Sequence, residues 1–130
     1  SMRWIARSYH ELKNPSESLR WYYRAIAECP HMREPYIECA QKAYHWKEWH
    51  IVYFMIEQAL KITKKSMTYT NMGYCWDHTP YDLGAISCYY LELYEKSREY
   101  AKQALLQSPN NERLQNNLKI IEDKLKEVGN

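Results

Sequence analysis

Residues 34–60 read EPYIECAQKAYHWKEWHIVYFMIEQAL. Ala40 and Ala59 in this stretch have counterparts 34 residues earlier, at Ala6 and Ala25, and 45 residues later, at Ala85 and Ala104. Leu60 answers Ile26 and Leu105 at the same two spacings. The eleven-residue excess of the second interval falls at about 68–79 and is read as an insertion. Inside the stretch, Trp49, Val52, Tyr53, Ile56 and Leu60 recur at helical spacing. Leu19, Tyr22, Tyr23 and Ile26 form a second such stripe, and Leu114, Leu118, Ile121 and Leu125 a third. No segment alternates with period two for long enough to be a strand.

Helix boundaries are marked by proline. Asn14-Pro15-Ser16-Glu17 places a capping side chain before proline at the first helical position, with an acidic residue following. Thr79-Pro80-Tyr81-Asp82 repeats that design, and Glu34-Pro35 is a weaker version. Pro30 and Pro109 follow runs they cannot continue as helix. Seven helices are predicted, at about 2–12, 16–29, 34–46, 48–63, 80–92, 95–108 and 111–127. A 34-residue helix–turn–helix period with small residues in fixed columns resembles the tetratricopeptide (TPR) repeat. The expected fold is an all-α, TPR-like superhelix forming a single domain over 1–130. Its repeats are expected at about 2–33, 34–67 and 79–110, followed by a capping helix at about 111–127. Small alanines let the two helices of each unit approach, and Tyr9, Tyr22, Ile56 and Leu105 fill the gaps.

Composition narrows the function. The chain has 130 residues, enough for one core and too few for two. A net charge of +2 gives no reason to expect nucleic acid as a partner. The longest apolar run, Ile51 to Ile56, is too short to span a membrane. That run lacks a polar face, so neighbouring repeats and the insertion, or another subunit or domain, should cover it. Cys29, Cys39, Cys75 and Cys88 form no C-x-x-C pair and read as buried thiols in a reducing, cytoplasmic setting. Ser1-Met2 reads as an expression scar and a start residue, so the native N-terminus and any targeting signal are expected to be missing from this sequence.

Catalytic, cofactor and metal sites are not expected. Cys75-Trp76-Asp77-His78 has a Cys-x-x-His spacing, but zinc would need two more ligands, from among Cys88, His45 and His50. A structured loop with Trp76 packed on the helices accounts for it more simply. Lys61, Lys64 and Lys65 suit a helix C-terminus. The binding candidates lie on the first helix of each unit and on the capping helix: Arg7, His10, Gln41, Tyr44, His45, Asp82, Tyr89, Tyr90, Arg113 and Asn116, with Arg3 and Glu34 beside them. Tyrosine, arginine and amide side chains together make a recognition surface. The same rings could instead fill a narrow groove.

Further residues carry a second resemblance. Trp21-Tyr22 and Ala25 precede Arg33-Glu34-Pro35-Tyr36, and Tyr81-Asp82-Leu83 opens the third unit. Ala104-Leu105, Pro109, Glu112-Arg113-Leu114 and Asn117-Leu118 close it. Over about residues 2–120 the pattern resembles the helical-repeat region that follows the catalytic domain in bacterial and phage family-2 glycosyltransferases. The resemblance implies a non-catalytic module, excised from a longer protein, that positions an acceptor or makes protein contacts, its partner being a catalytic domain of the same chain or a further copy. Those enzymes hold a metal with an Asp-x-Asp motif. Asp77, Asp82 and Asp123 form no such pair, so no catalytic residue carries over. The alternative is a free-standing TPR adaptor that binds a protein or peptide in its concave groove.

Overall fold

The computed structural model describes residues 2–11, 13–65 and 72–129. Seven α-helices follow one another: α1 Met2–Glu11, α2 Pro15–Glu28, α3 Arg33–His45, α4 Trp49–Leu60, α5 Thr79–Tyr90, α6 Tyr94–Gln107 and α7 Glu112–Val128. A 3-10 turn at Gly73–Cys75 precedes α5, and no strand occurs among the described residues. The pairs α1–α2, α3–α4 and α5–α6 pack on themselves, α4 joins the second pair to the third, and α7 lies on α6.

All six alanines of the repeating columns are buried. The absence of a larger side chain lets the paired backbones approach, and in two of the pairs a hydrogen bond crosses the contact. The Ser18 hydroxyl donates to the Ala6 carbonyl and the Ser97 hydroxyl to the Ala85 carbonyl, each at 2.7 Å. The middle pair has Val52 at this position, fully buried and packed without the bond. Tyr22 and Ile56 are fully buried as expected, whereas Tyr9 and Leu105 are half-buried. On α7, Leu114 and Ile121 are buried, and Leu118 and Leu125 complete the stripe against the rest of the fold.

Several boundaries differ from expectation for identifiable reasons. The Asn14 side chain caps α2 by accepting from the Glu17 N–H at 3.3 Å. Thr79 does not cap α5; the Asp77 carboxylate accepts the Thr79 N–H at 2.8 Å, and the helix starts there. Helix α4 stops at Leu60 rather than 63. Beyond it, buried Arg33 donates to the Ile62 carbonyl at 2.8 Å and to the Cys75 carbonyl at 2.9 Å. Its guanidinium lies 4.0 Å from the Trp76 ring centroid, so Trp76 is packed on the fold. Residues 68–71 of the expected insertion lie outside the described residues. Glu34 is buried and accepts the Met72 N–H at 3.4 Å, which takes it off the concave face.

Of the apolar run, Val52, Met55 and Ile56 are buried; Phe54 remains 55% exposed. Cys39, Cys75 and Cys88 are buried, and burial pushes each thiol up to about 12. Cys29 is half-buried at the end of α2, so the expectation of four buried thiols holds for three. No helix among the described residues is long and apolar enough to cross a membrane.

The turns inside the three pairs share one backbone device. Lys13, Lys47 and Glu92 have φ of 58°, 57° and 63°, in the left-handed region, and stand at the same 34- and 45-residue spacings as the alanines. In each turn the following N–H reaches back to a helical carbonyl: Asn14 to Tyr9, Glu48 to Ala43 and Leu93 to Cys88, at 2.8–3.0 Å. This is the Schellman closure, usually made with glycine. A side chain in that conformation costs about 1–2 kcal/mol.

Two predictions follow from this packing. Ala59→Leu should overpack the α3–α4 contact and lower stability by roughly 1–3 kcal/mol in urea unfolding; a change within about 0.5 kcal/mol, the surface range, would remove Ala59 from that contact. Lys47→Gly should raise stability by roughly 1 kcal/mol net of the added freedom of the unfolded chain. Lys42→Gly, in the interior of α3, should lower it by about 1 kcal/mol. Thermal unfolding of the two lysine variants side by side reads both signs.

Candidate functional site

Helices α3, α5 and α7 border a groove of about 550 Å³. Ala85 and Ile86 of α5 and Ile120 and Ile121 of α7 supply apolar lining. Tyr44 comes from the last turn of α3, Trp49 opens α4, and Tyr89 and Tyr90 end α5. His45, Lys47, Arg113 and Asn117 add the polar lining. Among the described residues that line the groove there is no carboxylate and no thiol.

The aromatic residues touch one another in sequence. Trp49 and Tyr90 stack with centroids 4.4 Å apart and planes 9° from parallel. Tyr44 meets Trp49 edge-on at 5.6 Å, and Tyr89 meets Tyr90 edge-on at 5.7 Å. Tyr44 also contacts His45, which neighbours His10, and His10 packs on Trp46 at 4.6 Å. Beyond Tyr89 the contacts continue to Tyr94. Tyr44 and Tyr90 stay 37% and 59% exposed. Their edges and faces are therefore held by neighbours while part of each ring meets solvent. Offset and edge-to-face pairs of this kind contribute about 0.5–1.5 kcal/mol each beyond burial.

The arginines sit against carboxylates. Arg113 of α7 makes two bonds to Asp82 of α5, at 2.7 and 3.3 Å, and that pairing raises the guanidinium pKa further. At the other end of the concave side, Glu38 of α3 is buried and receives Arg3 at 3.0 Å, Arg7 and the Tyr22 hydroxyl at 3.1 Å. Burial and the adjacent carboxylate push the Tyr22 phenol far up, so it stays protonated and donates. A buried carboxylate without such partners would cost several kcal/mol; the two guanidinium groups and one phenol answer it. His10 has a lowered pKa, first through burial and then through Lys42 and His45, and is neutral at pH 7.

The structure thus gathers Tyr44, His45, Tyr89, Tyr90 and Arg113 around one groove, with Asp82 bonded to Arg113. Arg7 and His10 lie towards the α1 end, engaged with Glu38 and Trp46. Gln41 and Asn116 do not line the groove; Asn117, the next residue on α7, does. Sequence reasoning missed Trp49, Ile86 and Ile120. Trp49 was assigned to the core stripe of α4, but as the first residue after the left-handed turn it reaches the groove edge. Ile120 carried a signal, since it falls outside the Leu114, Leu118, Ile121 and Leu125 stripe of a polar helix. At the Cys75–His78 segment, Cys75 is buried, and burial raises the pKa of its thiol. No group of three potential metal ligands occurs among the described residues.

No protein-family description and no curated protein sequence matches the chain. Solved structures do. The first TPR of Spaghetti (RPAP3) bound to the HSP90 peptide SRMEEVD superposes with a TM-score of 0.76 at 15% identity, over 96% of this chain and 90% of that one. The first TPR domain of the human RPAP3 protein gives 0.73 at 15%, over 97% and 91%. The Arabidopsis OM64 TPR domain gives 0.73 at 16%, over 94% and 92%. None of the three is a glycosyltransferase, and that resemblance rests on the sequence columns alone. At these identities the likeness concerns architecture: the fold is an all-α, TPR-like superhelix.

Proposed function

We propose that the chain is a non-catalytic protein-interaction domain that holds a peptide segment of another protein in the groove bordered by α3, α5 and α7. The observation that carries this reading is the Trp49–Tyr90 stack. Tyr90 is more than half exposed, yet its ring is held flat at 4.4 Å on Trp49. A large ring already fixed in place gives contact area without a fresh loss of rotamer freedom on binding. Asn117 at the groove brings a side-chain donor and acceptor for a peptide backbone. One domain of the same architecture is bound to a peptide, which supports the reading without identifying the ligand here.

Selection of a random dodecapeptide library against the purified chain tests it. Selected peptides should bind Tyr90→Ala at least about tenfold more weakly, as for an interface hot spot. The variant should lose no more than about 1 kcal/mol of stability, because the ring is exposed and gives up one stacking contact. Peptides that bind the variant and the parent equally would place the binding surface elsewhere.

A further inference from the structure

We infer that the groove takes its partner through two or three large apolar side chains of the bound segment, and that it disfavours an acidic tail. The inference rests on the groove being the peptide-binding surface. Its basis is the arrangement of charge. Each arginine on the concave side already faces a carboxylate of a neighbouring helix: Arg113 faces Asp82 across α7 and α5, and Arg3 and Arg7 face Glu38 across α1 and α3. An acidic ligand would have to draw a guanidinium away from a bidentate partner, losing a charge-assisted pair to make one. Lys47, at the exposed turn, is the lining cation that is not set against a carboxylate among the described residues. One exposed lysine adds little to affinity, and salt screens it.

The stretch between those two ion pairs is apolar and aromatic. Ile120 is 51% exposed, outside the buried stripe of α7, and lines the groove together with Ile86 and the Trp49–Tyr90 stack. A volume of about 550 Å³ is within the range of roughly 300–1,000 Å³ seen for pockets that enclose a small ligand, and accommodates more than one large side chain. A ring-lined lane whose one lining arginine is already paired with Asp82 complements a neutral, apolar-anchored segment.

Two fluorescein-labelled peptide amides test the inference, GSLWQLLQGS and GSEEDEEDGS, by anisotropy on the full chain and on Asp82→Asn, with circular dichroism confirming that the variant is helical. The apolar peptide should bind the parent at least about tenfold more tightly than the acidic one. Its affinity should change less than about twofold between about 50 and 500 mM salt. Asp82→Asn frees Arg113 and should strengthen the acidic peptide about fivefold or more at low salt, leaving the apolar one nearly unchanged. Equal or tighter binding of the acidic peptide to the parent overturns the inference, as does no binding of the apolar peptide up to about 1 mM. Failure of the groove reading itself looks different: the apolar peptide would bind Tyr90→Ala and the parent alike.

Discussion

Each helix pair closes because an alanine stands where its two backbones come nearest. Ala6 and Ala85 show it directly, since the Ser18 and Ser97 hydroxyls of the paired helices reach their carbonyls at 2.7 Å, and all six alanines of the repeating columns are buried. Gly84 extends the same logic between α5 and α6. A β-carbon there would come within 2.9 Å of the Tyr100 ring, and Tyr100 is fixed in turn by a 2.5 Å bond from its hydroxyl to Glu57. Close approach at one point is thereby converted into a defined position for the next helix, in keeping with interiors that pack as tightly as organic crystals.

Charge on the concave side serves the architecture before it serves a ligand. Glu38 and Asp82 each tie their helix to a neighbour through arginine, one pair at each end of the array. No equivalent pair is described between α3 and α5, which are connected instead through the start of α4, where Trp49 meets Tyr44 of α3 and stacks on Tyr90 of α5. The middle of the concave face is held by aromatic contact and its ends by ion pairs. This division leaves the aromatic surface in the centre as the part available to a partner.

The fold was legible because its signals repeat. The alanine columns recur at spacings of 34 and 45 residues, prolines mark helix ends and apolar stripes fill the intervals, and together they located seven helices to within a few residues. What escaped was set by contacts between distant residues. The early stop of α4 follows from Arg33 reaching Ile62, and the burial of Glu34 from its bond to Met72. Neither pairing has a local sequence signature. The groove was legible in part for the same reason. Tyr44 and Tyr89 stand 45 residues apart, the spacing of the alanines, but their connection through Trp49 and Tyr90 depends on where each turn releases the next helix. Arg7 and Arg113 were read as donors for a ligand because their carboxylate partners lie 31 residues away in each case.

The left-handed residues connect these threads. Chains usually place glycine where φ is positive, because other side chains pay for that conformation. Here Lys13, Lys47 and Glu92 occupy it, and none of the three glycines does. The turn they form is tight: one helix ends, and the next begins two residues after the left-handed one at Pro15, Trp49 and Tyr94. In the middle pair that geometry does two things at once. It places Lys47 on the groove lining, and it starts α4 with Trp49 against Tyr90. A longer or looser connection would let α4 begin elsewhere and separate the two rings. The same backbone constraint that closes the repeat therefore also positions the aromatic surface.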